Sequence, residues 1–306
     1  MSRRKDASPP TLKQLELLLA LEKAEGISSA GRTLGMTASA TSHALRALET
    51  NVGAQLIDRN APGVELTHAG KQILPHVRDV FSSLNLVQSV AQSGARLETG
   101  VLRLGSFGLS ASLILLPPIL DTFRKRYPGV EVQVIERTDL EIEQALLDRK
   151  IEIGIITLPN ERFDTQILAT DELVAVLPAG HVLASDKTVT LRDLGRYPFI
   201  LTHAGSGGLV SRTFARAGLQ LRVTHELSQL NSIFEFVARG QGVSIIASLA
   251  IPRTHEGIVF RSLKPVVSRR IGLACLNDTR LSPAADALWK QVQQNPLKQA
   301  KLQRKP

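Results

Sequence analysis

Ser39, Ser42, His43 and Arg46, with Thr37 just before them, are the residues whose type and spacing could do chemistry. Steps of three and four place them on one side of an α-helix. Two small hydroxyls, an imidazole and a guanidinium let a backbone approach a groove and still donate to base edges and phosphates. Ala40, Ala44, Leu45 and Leu48 lie on the other side and should face a core. A preceding helix from Ser28 to about Leu34 ends at the corner Gly35-Met36-Thr37, where Thr37 is a good N-cap. Ser28 offers that helix's first backbone N–H groups and a hydroxyl to a phosphate. The same pattern fits an ordinary helical hairpin with a solvated face, and Ser42 an exposed helix serine.

No other grouping points to bond-making chemistry. Gly205-Ser206-Gly207-Gly208 lacks the Gly-Lys-Ser/Thr of a phosphate loop. There is no His-Glu-x-x-His helix, no Cys/His cluster and no Gly-x-Ser-x-Gly elbow. The chain is expected to be no enzyme and to need no cofactor and no metal. The single Cys275 excludes an internal disulfide, and its strand-like surroundings favour a buried structural thiol over a redox switch.

The 306 residues are 43% hydrophobic and 21% charged, as in ordinary globular proteins with two or three domains. The net charge of +9 is compatible with nucleic acid. Much of it lies in Arg3, Arg4 and Lys5 and in Lys298, Lys301, Arg304 and Lys305, which read as solvated tails. The opening MSRRKDASPP lacks the apolar stretch of a signal peptide. Runs such as Leu113 to Leu116 are too short to cross a membrane. A cytoplasmic location without membrane attachment is expected.

Three segments position these residues. Thr11 should cap a helix with Leu12, Leu15, Leu18, Leu19 and Leu21 on its apolar face; the hairpin follows. Ile57–Asn60 and Val64–Leu66 then flank the turn Ala61-Pro62-Gly63, forming a wing with Arg59 placed to reach a phosphate or the minor groove. Thr67 opens a long helix to about Gly94, striped by Ala69, Ile73, Val77, Val80, Leu84, Val87 and Ala91. Pairing with the same helix of a second subunit is the simplest way to bury that stripe; packing on its own domain is the other way. Gly94–Gly100 reads as a hinge.

Beyond it, strands are expected at 101–105, 130–136, 151–156, 173–177, 199–201, 223–226, 243–246, 258–261 and 270–276. Helices are expected at 113–127, 140–149, 209–217, 230–238 and 283–294. Strands separated by helices indicate one or two mostly parallel sheets.

This order resembles a LysR-type transcriptional regulator over nearly the whole chain. Leu12-Lys13-Gln14-Leu15 is similar to the family's opening helix. Leu34-Gly35-Met36-Thr37 through Ser42, then Leu45, Leu48-Glu49 and Gly53-Ala54-Gln55-Leu56-Ile57-Asp58-Arg59, follow its recognition helix and wing. Leu66-Thr67-His68-Ala69-Gly70 is similar to its linker-helix entry, and Leu115-Leu116-Pro117, Phe123 and Tyr127-Pro128 to a helix of its effector domain. Ala38 and Ser39 replace a common Gln-Pro, His43 a frequent Arg, Ile57 a frequent Phe and Gly31 a frequent Ala; Ala247-Ser248 stands where Pro often follows the strand.

The resemblance implies a winged helix-turn-helix (1–67), a linker helix for dimerisation (68–94), a two-lobed periplasmic-binding-protein-like (type 2) α/β effector domain (95–296) and a basic tail (297–306). One lobe would span about 100–168 plus 268–296 and the other about 169–267. Thr37, Ser39, Ser42 and His43 would then meet base edges, and Ser28, Arg46 and Arg59 phosphates. Ligands in such folds sit beyond the strand ends. That singles out Ser106, Phe107 and Ser110 after the first strand of the α/β region, Thr138 after the second, and Thr202, His203 and Ser206 further on. Hydroxyls at helix N-termini favour an anion, although the same residues also serve as helix caps. Double-stranded operator DNA, a small and anionic effector and a homo-oligomer (a dimer through the linker helix, extended to a tetramer) are the implied partners, with RNA polymerase as a further candidate. A cytoplasmic solute-binding protein or an enzyme with an α/β ligand domain fused to a helix-turn-helix is the alternative.

Overall fold

Thr11 accepts the Gln14 N–H on its hydroxyl while the Gln14 side chain accepts the Thr11 N–H, and this reciprocal cap starts α1 (Leu12–Leu21). The computed structural model describes residues 8–59, 61, 63–92, 99–203, 205–252 and 255–295. They fall into two units, Met1–Ala91 and Gln92–Pro306. In the first, α2 (Ile27–Thr33) and α3 (Ala38–Val52) form the hairpin. Thr37 caps α3 by accepting the Ala40 N–H at 3.2 Å, and Gly53, at φ +73°, ends it in the left-handed conformation.

Leu17, Leu18, Leu21, Leu45, Leu48 and Leu56 make the core of this unit. Two expected core positions differ. Leu12 stays 47% exposed while Leu17 takes the buried place on α1. Ala40 is exposed and Thr41 is buried, because α2 comes against α3 at Gly31, where a Cβ would stand 1.8 Å from Thr41 Oγ1.

The wing is β1 (Ile57–Asp58) paired antiparallel with β2 (Glu65–Leu66), Ile57 opposite Leu66. The expected strand end at Asn60 and the turn's Pro62 lie outside the described residues. Thr67 then accepts the Gly70 N–H at 3.1 Å and starts α4 (His68–Gln92). Gly70 lies so close to the Leu56 carbonyl that a Cβ would approach it to 2.4 Å, which explains a glycine at the helix entry. Along α4, Leu74 and Val77 join the core, whereas Val80 and Val87 are 39% and 66% exposed. The side chain of Ala91 and most of the expected hinge lie outside the described residues.

The second unit runs β3 (Gly100–Phe107), a π-helical turn Ser110–Leu115, α5 (Leu116–Arg126), β4 (Val130–Arg137), α6 (Asp139–Leu147), β5 (Ile153–Leu158) and β6 (Asp164–Pro178). It continues with β7 (Thr188–Val189), α7 (Leu191–Leu194), β8 (Phe199–Thr202), α8 (Gly207–Arg216), β9 (Val223–Leu227), α9 (Leu230–Ala238), β10 (Val243–Ala247), β11 (Ile258–Leu263), β12 (Ser268–Cys275) and α10 (Pro283–Gln294). The strand order is β4-β3-β5-β12-β6-β10-β8-β9, with β11 paired to β6 and β7 to β11. Two apolar cores lie along this path, one around Phe107, Phe123 and Trp289, the other around Phe199, Phe214 and Phe234. They are the two lobes. The first part of β6 pairs with β12 in one lobe, and its second part with β10 and β11 in the other. The lobes therefore share β6, and β12 brings the chain back.

The sequence pattern showed only the 173–177 part of β6; the first part of that strand, β7 and α7 are the elements it did not show. A bulge between Ile271 and Gly272 sets Ile271 opposite Ala169 but Gly272 opposite Ile167. Leu168 is the extra residue, so Leu168 and Ala169 are both buried in succession while Ile167 is 50% exposed. That breaks the alternation by which a strand is recognised.

Candidate functional site

Two places bring the expected residues together. On the first unit, Thr37, Ser39, His43 and Arg46 are exposed and Ser42 half-buried, while Thr41, Leu45, Leu48 and Glu49 turn inward. Ser28 is exposed in the first turn of α2. Arg59, 56% exposed, donates from Nη2 to Glu49 Oε2 at 3.0 Å. Glu49 is itself buried, and its Oε1 accepts the backbone N–H groups of Leu56 at 2.9 Å and Ile57 at 3.4 Å. This carboxylate, which the sequence reading did not single out, ties the recognition helix to the start of the wing.

In the second unit Phe107 and Ser110, of the expected ligand residues, lie where the lobes meet, against Gly205 and Arg269. Ser106, Phe107, Ser110, Thr202 and Ser206 are all buried. Ser106 accepts the Ser112 hydroxyl at 2.9 Å. Thr138 caps α6 in a reciprocal bond with Glu141, and His203 Nε2 lies 2.9 Å from Glu226 Oε2 on the surface. Both have partners of their own.

At the junction lies an ion pair that sequence spacing cannot reveal. Arg269 on β12 stands opposite Asp171 on β6, at the point where β6 passes from one lobe to the other. Arg269 Nη2 donates to Asp171 Oδ2 at 2.8 Å, both side chains being fully buried. Nη2 also donates to Ser110 Oγ in one lobe at 2.9 Å, and Nη1 reaches the Gly205 carbonyl in the other at 3.4 Å. The guanidinium carbon lies 5.7 Å from the Phe107 ring centroid. Asp171 Oδ1 accepts from Ser248 Oγ at 2.6 Å, Glu172 N at 2.8 Å and Leu249 N at 3.1 Å. The serine standing in place of the family's frequent proline is thus one of the groups that hold this carboxylate. Burying two charges is tolerated where the pair is also hydrogen-bonded; Asp171 is, but Arg269 Nε has no acceptor.

The Gly205 carbonyl also receives the Thr157 hydroxyl at 3.5 Å, and the Thr157 N–H goes to Asp139 Oδ1 at 3.1 Å. Burial raises the Asp139 carboxyl above its usual range, against the opposing pull of Thr157, Arg269 and Arg212. A carboxyl so raised favours the fold below its unfolded pKa, and that contribution fades as pH rises through the folded value. Asp139→Asn keeps the oxygen facing Thr157. It is expected to raise the thermal midpoint at pH 7.5, with the advantage vanishing near pH 4; an equal effect at both pH values would count against the charge as the cause.

Cys275 is buried, and desolvation followed by Asp164 and Asp278 pushes its thiol up to about 12. It is a thiol at neutral pH and packs in the core of its lobe. Among the described residues no group of His, Cys, Asp and Glu could hold a metal ion, and no helix is long and apolar enough to cross a membrane.

A helix hairpin with a wing, joined to two lobes that share a crossing strand, defines a DNA-binding regulator with a ligand domain. Residues 12–71 match the model for the bacterial regulatory helix-turn-helix protein of the lysR family, and residues 95–296 the LysR substrate binding domain. The chain belongs to the LysR family of transcriptional regulators. It is 34% identical over 277 residues to the "Probable HTH-type transcriptional regulator LrrA" of Synechococcus elongatus, covering 90% of this chain and 93% of that one. A full-length OxyR variant from Pseudomonas aeruginosa shares the fold at TM-score 0.71 and 20% identity, over 94% of this chain and 98% of that one. The Synechocystis PCC6803 CcmR regulatory domain in complex with 2-PG does so at TM-score 0.58 and 22% identity, over 65% and 98%. The protein is a DNA-binding regulator with an effector-binding domain and is not an enzyme.

Proposed function

We propose that α3 reads the operator from the major groove with Thr37, Ser39, Ser42 and His43, while Ser28, Arg46 and Arg59 hold phosphates. The observation that carries this reading is the division of α3, whose exposed face holds these donors while its opposite face is committed to the core. Small side chains at Ala38 and Ser39 leave few direct base contacts, so phosphates, paired arms and DNA shape supply more of the specificity. Gel-shift with fragments flanking the protein's own locus tests it; no retardation of any DNA at low salt overturns it. Arg59→Ala is expected to weaken binding to operator and random DNA alike and to lower the slope of log K against log salt by about one. An unchanged slope would place Arg59 away from the DNA.

The second element of the proposal is a cytoplasmic homodimer through α4, doubled to a tetramer, with RNA polymerase as the further partner. Val80 and Val87 support the dimer, being exposed apolar residues on a helix of 25 residues. Val80→Glu/Val87→Glu is expected to give a monomer by sedimentation at micromolar concentration, with unit folds retained by circular dichroism; an unchanged mass would exclude this stripe from the interface.

The third element is an effector held between the lobes, within reach of Ser106, Phe107, Ser110, Thr138, Thr202, His203 and Ser206. The name of the CcmR complex, a regulatory domain with a small ligand, supports a small-molecule effector here. The N-terminus of α8 and the hydroxyls around it favour an anion.

A further inference from the structure

A recess of about 480 Å³ opens on the second lobe, and none of its lining residues is among those expected to meet the effector. Small-molecule sites run from about 300 to 1,000 Å³. β11 contributes Phe260, Arg261 and Ser262, β6 contributes Glu172, and the approach to β7 contributes Ser185, Asp186 and Lys187. Ser262 stands opposite Val174 and Phe260 opposite Val176, so Glu172, two residues before Val174, shares their face of the sheet. Phe260 meets the Phe234 ring edge-on, with 6.0 Å between centroids, and gives the recess an apolar wall.

Arg261 is half-buried and held by the backbone. Its Nε donates to Ala184 O at 3.0 Å and its Nη1 to Phe260 O at 2.7 Å, and Nη2 also donates to Ala184 O. Those bonds use three of the five N–H groups of a guanidinium and leave one on each terminal nitrogen. Among the described residues no carboxylate forms a salt bridge with Arg261. An oriented guanidinium with two N–H groups to spare suits a ligand carboxylate, because its ordering cost is already met.

Glu172 and Asp186 add two carboxylates and Lys187 a second cation, all three exposed. Among the described residues none of the three makes a salt bridge. Each alone is an ordinary surface charge. Together with Arg261 they set two acids and two bases around one recess. A simple anion would meet the two acids there, and a simple cation the two bases; a molecule with both charges matches all four.

We propose that this recess is a second binding site of the effector domain, for a free α-amino acid with an apolar side chain. The ammonium group goes to Glu172 and Asp186, the carboxylate to Arg261 and Lys187, and the side chain lies against Phe260. The Glu172 N–H donates to Asp171 Oδ1 at 2.8 Å, so an occupant bears on the strand that passes between the lobes.

Calorimetry on the full-length protein tests this with leucine, methionine and phenylalanine, followed by the amide and the deaminated acid of whichever binds tightest. The amino acid is expected to bind saturably and each analogue about tenfold more weakly. Glu172→Gln/Asp186→Asn should weaken the amino acid about tenfold and leave the deaminated acid unchanged. Lys187→Gln should weaken the amino acid severalfold and leave the amide unchanged. Both variants alter exposed side chains alone, and their circular dichroism melting should match wild type. Absence of saturable binding by all three probes overturns the proposal. So does an affinity that ignores both variants, which would place the ligand elsewhere. A deaminated acid as tight as its parent would make the recess an anion site and overturn the amino-acid assignment.

Discussion

Arg269→Met is expected to destabilise the effector domain by about 3–5 kcal/mol, because it leaves the Asp171 charge buried without its partner. The cost comes from the orphaned carboxylate rather than from the pair itself, since a buried ion pair pays heavily in desolvation for what it gains by attraction. Asp171 also organises its surroundings: its Oδ1 receives Ser248 Oγ and the N–H groups of Glu172 and Leu249. Asp171→Leu would therefore strand two amides at about 1–3 kcal/mol each. Arg269→Met/Asp171→Asn keeps an oxygen for those donors and removes both charges, and should recover most of the loss. The only tryptophan, Trp289, is buried in one lobe core, so its fluorescence in a urea titration follows this domain. A cost below about 1 kcal/mol for Arg269→Met, or no recovery in the double variant, would show that the pair does not hold the lobes.

The order of elements was legible because each depends on local chemistry. Thr11, Thr37 and Thr67 sit at helix starts where a hydroxyl accepts an orphan N–H, and each of the three does so. The spacing of Ser39, Ser42, His43 and Arg46 gave the exposed face of α3 in the same way. Ala40 was misplaced because the core side of α3 is set by α2, and a glycine at 31 moves that contact onto Thr41.

The interlobe junction could be read only in part. Ser106, Ser110 and Ser206 follow from the rule that sites lie past strand ends. Asp171 and Arg269 are 98 residues apart in sequence; Asp171 lies in the middle of β6 and Arg269 at the start of β12, so neither follows the C-terminal end of a strand. Their meeting depends on β6, whose bulged register hides it from a period-two reading. The hydroxyls of Ser106, Ser110 and Thr138 are engaged with the protein's own groups in this structure, and the under-used donor is the arginine beside Ser110.

Gly31→Ala should cost the first unit about 2–3 kcal/mol and lower operator affinity at least tenfold. Alanine is the better helix former by up to about 1 kcal/mol, so propensity alone predicts a gain. Overlap decides against it. The added methyl would lie 1.8 Å from Thr41 Oγ1, 2.8 Å from its Cβ and 2.9 Å from its Cγ2, so α2 and α3 must part. Forced overpacking of this kind costs roughly 1–3 kcal/mol, and Thr41 has no room to turn because it is buried and bonded to Thr37 O at 2.8 Å. Movement of α3 also displaces the donors it presents. Adding Thr41→Ala removes the two γ atoms and leaves only the Cβ approach, which a shift of a few tenths of an ångström relieves. The double variant should therefore recover most of the stability and the DNA binding, at the cost of one hydrogen bond. Circular dichroism melting and gel-shift on the three proteins measure both effects. A Gly31→Ala protein as stable as wild type would mean that the helices do not meet at this glycine, and that another contact sets the angle of the recognition helix.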